Sequence, residues 1–88
     1  MEKYFRVTDP PSGLVFVFKF EPGFPGMLHI YARHLKAPND AIEVWLAGSH
    51  WRDQVHQRYV AVHAGQEILW YWIVPDRVVM VVSCYDRH

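Results

Sequence analysis

Three basic side chains, His34, His56 and Arg58, are the residues of this chain best suited to chemistry on a phosphate. Side chains alternate between the two faces of a β-strand, so His56 and Arg58 would share a face with Val60 and Val62. By the same alternation, His34 would extend the apolar row of the segment before it. If both apolar rows pack against a helix, the three basic groups gather at the rim of the core.

An imidazole can donate or accept a proton, and a guanidinium can hold a phosphate through two parallel hydrogen bonds. RNA cleavage through the neighbouring 2′-hydroxyl needs these groups and no metal ion. We therefore predict that His34 and His56 transfer protons, that Arg58 clamps the phosphate, and that Tyr85 assists. The structural alternative is that His34 ends a strand in solvent while His56 and Arg58 pair with Asp53 or Glu67.

Metal or cofactor chemistry is not predicted. The six histidines follow no compact metal-ligand spacing, Cys84 is the single cysteine, and no glycine-rich phosphate loop is present. Cys84 lies in an apolar stretch with no basic neighbour fixed by the sequence, so we expect a buried, inert thiol.

Length and composition predict one folded domain covering residues 1–88. Hydrophobic residues make up 51% and charged residues 20%, which favours a packed core over disorder. Nine basic residues balance nine acidic ones, so the chain lacks the global positive field of many nucleic-acid-binding proteins. The lone cysteine favours a reducing, cytoplasmic location. We expect no membrane association, since no signal peptide is apparent and no apolar run is long enough to span a bilayer.

The hydrophobic pattern predicts an α+β fold with the order βββαβββ. Alternating apolar residues indicate strands in residues 4–8, 14–20, 27–33, 51–63, 68–74 and 78–85. The single helix begins at Pro38, carries Ala41 and Trp45 at helical spacing, and ends at Gly48. We expect an antiparallel sheet of five to six strands with this one short helix packed on one face.

The last two predicted strands are apolar on both faces, and one short helix cannot cover both sides of a sheet. The N-terminal hairpin could fold over the second face, or a second copy or another protein could pack against Trp70, Tyr71 and Trp72. We expect a homodimer or a protein partner, and the internal explanation stays open.

Residues 28–85 resemble BrnT-like members of the RelE/ParE superfamily of toxin ribonucleases. The resemblance is carried by three segments, Ala32-Arg33-His34 before Pro38-Asn39-Asp40-Ala41-Ile42-Glu43, the strand Gln57-Arg58-Tyr59-Val60-Ala61-Val62, and the closing strand Val78-Val79-Met80-Val81-Val82-Ser83. It implies a metal-independent endoribonuclease of a toxin–antitoxin system, neutralised by a partner antitoxin. The matching site positions are His34, Arg58 and the end of the last strand. Such toxins tend to place an arginine just after the serine of that strand, where this chain has Cys84 and Tyr85, and Arg87 is the nearest substitute.

A non-enzymatic protein-binding module is the competing hypothesis. Such a module could be a phage or mobile-element inhibitor or a small structural subunit, acting through the sheet face rich in Trp and Tyr. Neutral net charge and an excess of apolar surface favour this reading.

Overall fold

The computed structural model describes residues 3–24 and 26–87. Its elements follow the chain as β1 (Tyr4–Thr8), β2 (Val15–Lys19), α1 (His29–His34), α2 (Pro38–Ala47), β3 (Ser49–Asp53), β4 (Arg58–His63), β5 (Gln66–Val74) and β6 (Val78–Asp86). The strands form one six-stranded sheet in the order β1-β2-β6-β5-β4-β3. The α+β class is confirmed.

The sheet is mixed, so the prediction of a purely antiparallel sheet is wrong. Strands β2 and β6 run parallel, and every other neighbouring pair is antiparallel. After β2 the chain passes through both helices to the far edge of the sheet, and strands β3 to β6 then return in order to meet β2. Alternation within a strand says which face a residue occupies but not which strand lies beside it, so the sequence pattern could not predict this pairing.

The predicted third strand, residues 27–33, is instead mostly the helix α1. Only Leu28 makes a strand-like bridge, to Phe20, and backbone hydrogen bonds from Tyr31 and Ala32 to the Leu28 carbonyl then begin the helix. The helix ends at Leu35, which has a left-handed backbone with φ 57°. Over so few residues an alternating apolar pattern also fits one helical face, and tertiary contacts decide between the two.

The predicted helix is confirmed as α2. Pro38 occupies its first turn, and the Asp40 carboxylate accepts a hydrogen bond of 2.8 Å from the Ala37 backbone N–H. Ala41 and Val44 are fully buried beneath it, where α2 packs on β4 and β5. Proline at the start and a carboxylate accepting a free N–H are the features that favour a helix N-terminus.

The main core lies between the helices and one face of the sheet. It consists of buried residues from both helices and from the four strands β2, β6, β5 and β4, namely Phe16, Phe18, Ile30, Ala41, Val44, Ala61, Ile68, Trp70, Val79, Val81 and Cys84. Each large side chain buried here contributes about 1.5–3 kcal/mol of hydrophobic stabilisation. Cys84 is fully buried, as predicted, and burial raises the pKa of its thiol to about 11.

Ala61 and Tyr59 are the β4 residues that pack toward the helices. Alternation therefore places Arg58, Val60 and Val62 on the opposite face of the sheet. The expectation that Val60 and Val62 touch the helix is therefore wrong. A shift of one residue along a strand turns every side chain to the other face of the sheet.

The second face of the sheet is only partly covered. Val17, Val60 and Met80 are buried there by their neighbours, whereas Ile73 remains 50% exposed. The N-terminal hairpin does not fold over this face, because β1 and β2 extend the sheet sideways beyond β6.

The tryptophans expected on a docking face lie elsewhere. Trp70 and Trp72 point toward α2, where their ring centroids are 5.3 and 5.8 Å from that of Trp45. Tyr71, between them in sequence, is the member of the expected set that faces outward.

A buried carboxylate fastens α1 to the end of β2. The Glu21 side chain is 5% exposed, and it bonds His29 Nδ1 at 2.7 Å and Arg33 Nη2 at 2.8 Å. His29 and Arg33 are four residues apart on α1, and this spacing places both side chains on the same side of the helix, where they meet Glu21. Hydrogen bonding, first from Arg33 and then from His29, holds the pKa of Glu21 below its ordinary value.

Substitution of Gly48 by alanine should destabilise the protein by about 3 kcal/mol, the upper end of the cost of overpacking. A Cβ at this position would lie 2.3 Å from the Val44 carbonyl oxygen and 2.8 Å from that of Val62, and both are backbone atoms. In Gly13→Ala, the matched control, the Cβ meets nothing within 4 Å and only the positive φ of 76° is unfavourable, at about 1 kcal/mol. Urea unfolding measures both losses. Equal losses for the two variants would contradict the close approach of α2 to β4.

Replacing Glu21 by glutamine should remove a stabilisation that depends on pH. Because the pKa of this carboxyl is depressed in the folded state, its contribution is complete above the ordinary value of 4.5 and is lost as the pH falls through the lower folded-state value. The gap in unfolding midpoint between wild type and Glu21→Gln should therefore be widest near neutral pH and close at acidic pH. Glu43→Gln, at an exposed position on α2, is the control and should show no such trend. A gap that stays constant down to pH 3 would rule out the ion pairs as its origin.

Candidate functional site

Tyr85 lies at the centre of a polar cluster near the end of β6. Its hydroxyl donates a hydrogen bond to the Glu67 carboxylate, which stands directly opposite on β5. Arg87 Nε lies 3.5 Å from the other oxygen of Glu67, and the His34 ring centroid lies 5.5 Å from that of Tyr85. These four residues, His34, Glu67, Tyr85 and Arg87, are referred to below as the Tyr85 cluster.

The Tyr85 cluster forms where β6 extends past the end of β2. The parallel ladder between these strands covers only four residue pairs and ends at Val81. Beyond that point no strand among the described residues pairs with β6 on its β2 side, and α1 packs against β6. His34 is the last residue of α1, so the helix delivers its imidazole to the final residues of β6.

Burial raises the pKa of Tyr85 to about 12, and the hydrogen bond to Glu67 acts in the same direction. The positive charges of Arg58 and Arg87 partly oppose this rise. The phenol therefore keeps its proton at neutral pH. In this environment Tyr85 can donate a hydrogen bond or a proton, but it cannot act as a base.

His56 and Arg58 converge on Asp53 at the turn between β3 and β4. Asp53 Oδ2 lies 2.8 Å from His56 Nδ1 and 3.5 Å from Arg58 Nε, while Oδ1 accepts backbone N–H bonds from Val55 and His56. The hydrogen bond with the His56 side chain is the main cause that lowers the pKa of Asp53. Of the two partners considered from the sequence, Asp53 is thus the one that holds both basic residues.

We predicted that strand alternation would bring His34, His56 and Arg58 together, and that reasoning is wrong because the three residues do not all lie on strands. His34 lies on a helix, His56 lies in a turn, and only Arg58 is in a strand. Within the described parts of the chain, no hydrogen bond, ion pair or ring contact joins His56 to His34 or Tyr85. The structure instead brings His34 and Tyr85 together.

Arg58 faces both groups of residues. Its side chain is 27% exposed, and its enclosed Nε finds no hydrogen-bond acceptor among residues 3–24 and 26–87, although it forms an ion pair with Asp53. Its charge also acts on the Tyr85 phenol, as the direction of its effect on that pKa shows. A partly exposed guanidinium whose charge acts on a phenol is suited to bind an anionic oxygen there.

Sequence reasoning missed Glu67 and Arg87 as members of the site. Glu67 was considered only as a partner for His56 or Arg58, and Arg87 only as a substitute for a missing arginine. The Pro75-Asp76 turn did contain a signal for Glu67. In a hairpin, residues at equal distances from the turn lie opposite each other, and Glu67 and Tyr85 are equally far from Asp76 along the chain. Two irregularities in the β5–β6 ladder offset each other, so this simple count succeeds.

Two further searches of the structure concern metals and membranes. In the described part of the chain, no three His, Cys, Asp or Glu side chains are grouped as a metal site would require. Neither α1 nor α2 is long and apolar enough to cross a membrane.

Comparisons with known proteins assign no function to this chain, so a functional assignment must come from the geometry of the site. No protein-family model matches this chain, and no curated protein and no solved structure is significantly similar to it. The function of the Tyr85 cluster must therefore be argued from its own chemistry.

Proposed function

We propose that this protein is a metal-independent endoribonuclease that cleaves RNA at the Tyr85 cluster. The observation that carries this proposal is the placement of the exposed His34 imidazole against the hydrogen-bonded pair of Tyr85 and Glu67. The charges of Arg58 and Arg87 both act on Tyr85. An acid, a carboxylate and cations in one place are what phosphodiester transfer to a 2′-hydroxyl requires.

In the proposed reaction the Glu67 carboxylate accepts the proton of the 2′-hydroxyl, and the freed oxygen attacks the adjacent phosphorus. The bond from phosphorus to the 5′-oxygen breaks, and His34 in its protonated form donates a proton to that oxygen. The products are a 2′,3′-cyclic phosphate and a 5′-hydroxyl. Tyr85 orients the Glu67 carboxylate by its hydrogen bond and keeps its own proton.

Arg58 and Arg87 would bind the negative charge that develops on the phosphate. The ion pair of Arg58 with Asp53 is long, at 3.5 Å, and the Arg58 side chain is 27% exposed, which favours binding of a phosphate by its guanidinium. Because the chain has no net charge, the attraction for RNA would be local to this cluster. We assign no proton transfer to His56, since its Nδ1 is bonded to Asp53 and no contact among the described residues joins it to the Tyr85 cluster.

The resemblance of residues 28–85 to the BrnT-like toxins supports the same proposal and adds a protein antitoxin as the expected partner. His34, Arg58 and the end of the last strand, the positions matched by that resemblance, are those that meet at or beside the Tyr85 cluster.

A non-enzymatic binding module is the second candidate function. It is favoured by the open sheet face, where a groove of about 450 Å³ is lined by apolar residues from β2, β5 and β6 and by Tyr4 and Arg6 of β1. Exposed apolar surface of this kind marks many protein-interaction sites.

Purified protein should cleave single-stranded RNA in the presence of EDTA and leave 5′-hydroxyl ends. His34→Ala and Arg58→Ala should each lower the cleavage rate about 100-fold or more, the usual loss when a proton-transfer group or charge-stabilising donor is removed. Arg77→Ala, which removes the same charge from an exposed turn, should retain the wild-type rate. Gel analysis of a labelled RNA with end-group mapping measures these effects.

Intact RNA with folded wild-type protein would refute the ribonuclease proposal. Equal losses for Arg58→Ala and Arg77→Ala would show that only general charge matters. If RNA stays intact while the protein forms a stoichiometric complex with another protein, the binding module becomes the supported function.

A further inference from the structure

The two outer strands of the sheet differ in how well they are protected. Strand β3, at one edge, carries His50, Arg52 and Asp53 within five residues, and such polar side chains discourage pairing with another chain. Strand β1, at the other edge, has Arg6 as its one charged residue. Its Tyr4 and Phe5 are 43% and 42% exposed on opposite faces.

We propose that β1 pairs antiparallel with β1 of a second copy of this chain, so that one continuous sheet runs through a symmetric dimer. The two-fold axis passes beside Phe5, which places Phe5 opposite Phe5 of the second copy. Tyr4 then lies opposite Arg6 of the second copy, and the reverse pair completes the symmetry. Main-chain hydrogen bonds satisfy the groups that β1 leaves open at the sheet edge.

The side chains favour this register over its neighbour. Directly opposed aromatic rings stabilise antiparallel strands, and a guanidinium over the Tyr4 ring adds a cation–π contact. Moving the axis to Arg6 would set two arginines opposite each other, which is unfavourable. Arg6 has no ion pair with any other residue that the structure describes, so its charge is available to the second copy.

Symmetry and charge also favour a second copy as the occupant. Pairing β1 with β1 uses the same surface twice and closes after two chains, whereas pairing β1 with β3 would continue into a fibre. The chain has no net charge, so two copies do not repel each other globally. The groove floored by Val15 and Val17 lies next to β1 and would continue across the two-fold axis.

This dimer is independent of the ribonuclease proposal, because β1 supplies no residue of the Tyr85 cluster. It can be tested by sedimentation equilibrium on the full chain. Wild type should be a dimer, and Phe5→Lys should raise the dissociation constant at least 100-fold by placing two ammonium groups opposite each other. Val55→Lys, at an 84% exposed position in the β3–β4 turn, should remain dimeric.

A second pair of measurements separates loss of the interface from loss of the fold. In the double variant Tyr4→Arg/Arg6→Glu, opposite charges face each other across the axis, so the dimer should form and should weaken with added salt. Opposed residues of antiparallel strands have Cα atoms about 4.5–5.5 Å apart, within disulfide range. Phe5→Cys should therefore form a disulfide-linked dimer on oxidation, and Val55→Cys should not. A monomeric wild type, or equal crosslinking of both cysteine variants, would overturn the proposal.

Discussion

The short parallel ladder between β2 and β6 is the constraint on which the rest of the structure depends. It ends at Val81, while β6 continues to Asp86, so the last part of β6 lacks a strand on that side. A sheet edge with open backbone groups and apolar side chains must be covered, and α1 covers it. The same helix carries His34 to Tyr85, so the candidate site exists because the ladder stops where it does.

Charge is balanced locally as well as over the whole chain. Three carboxylates each bind two neighbouring groups. Glu21 binds His29 and Arg33, Asp53 binds His56 and Arg58, and Glu67 binds Tyr85 and Arg87. The first group fastens α1, the second closes the β3–β4 turn, and the third forms the Tyr85 cluster. A neutral protein can thus present positive charge only locally, as at Arg58, whose ion pair with Asp53 is 3.5 Å long.

The sheet distributes its apolar surface unevenly, and this has consequences for assembly. One face is buried beneath the helices, the other is closed only in its centre by Val17, Val60 and Met80, and β1 leaves apolar side chains at the edge. The proposed ribonuclease site at the end of β6 and the proposed dimer edge along β1 occupy different parts of the sheet. The two properties can therefore be altered separately by substitution.

The sequence by itself determined the α+β class, the helix from Pro38 to Gly48, the hairpin about Asp76 and the burial of Cys84. These features depend on local signals, such as proline at a helix start and alternation along a strand. Tertiary structure alone decided that residues 29–34 form a helix, that β2 pairs with β6, and that Arg58 faces away from α2. Each of these outcomes depends on contacts between residues distant in the chain, and a period of two or of 3.6 residues does not say which distant segment lies alongside. For that reason His34 and Tyr85 were predicted separately as functional residues, while their contact with each other was decided only by the fold.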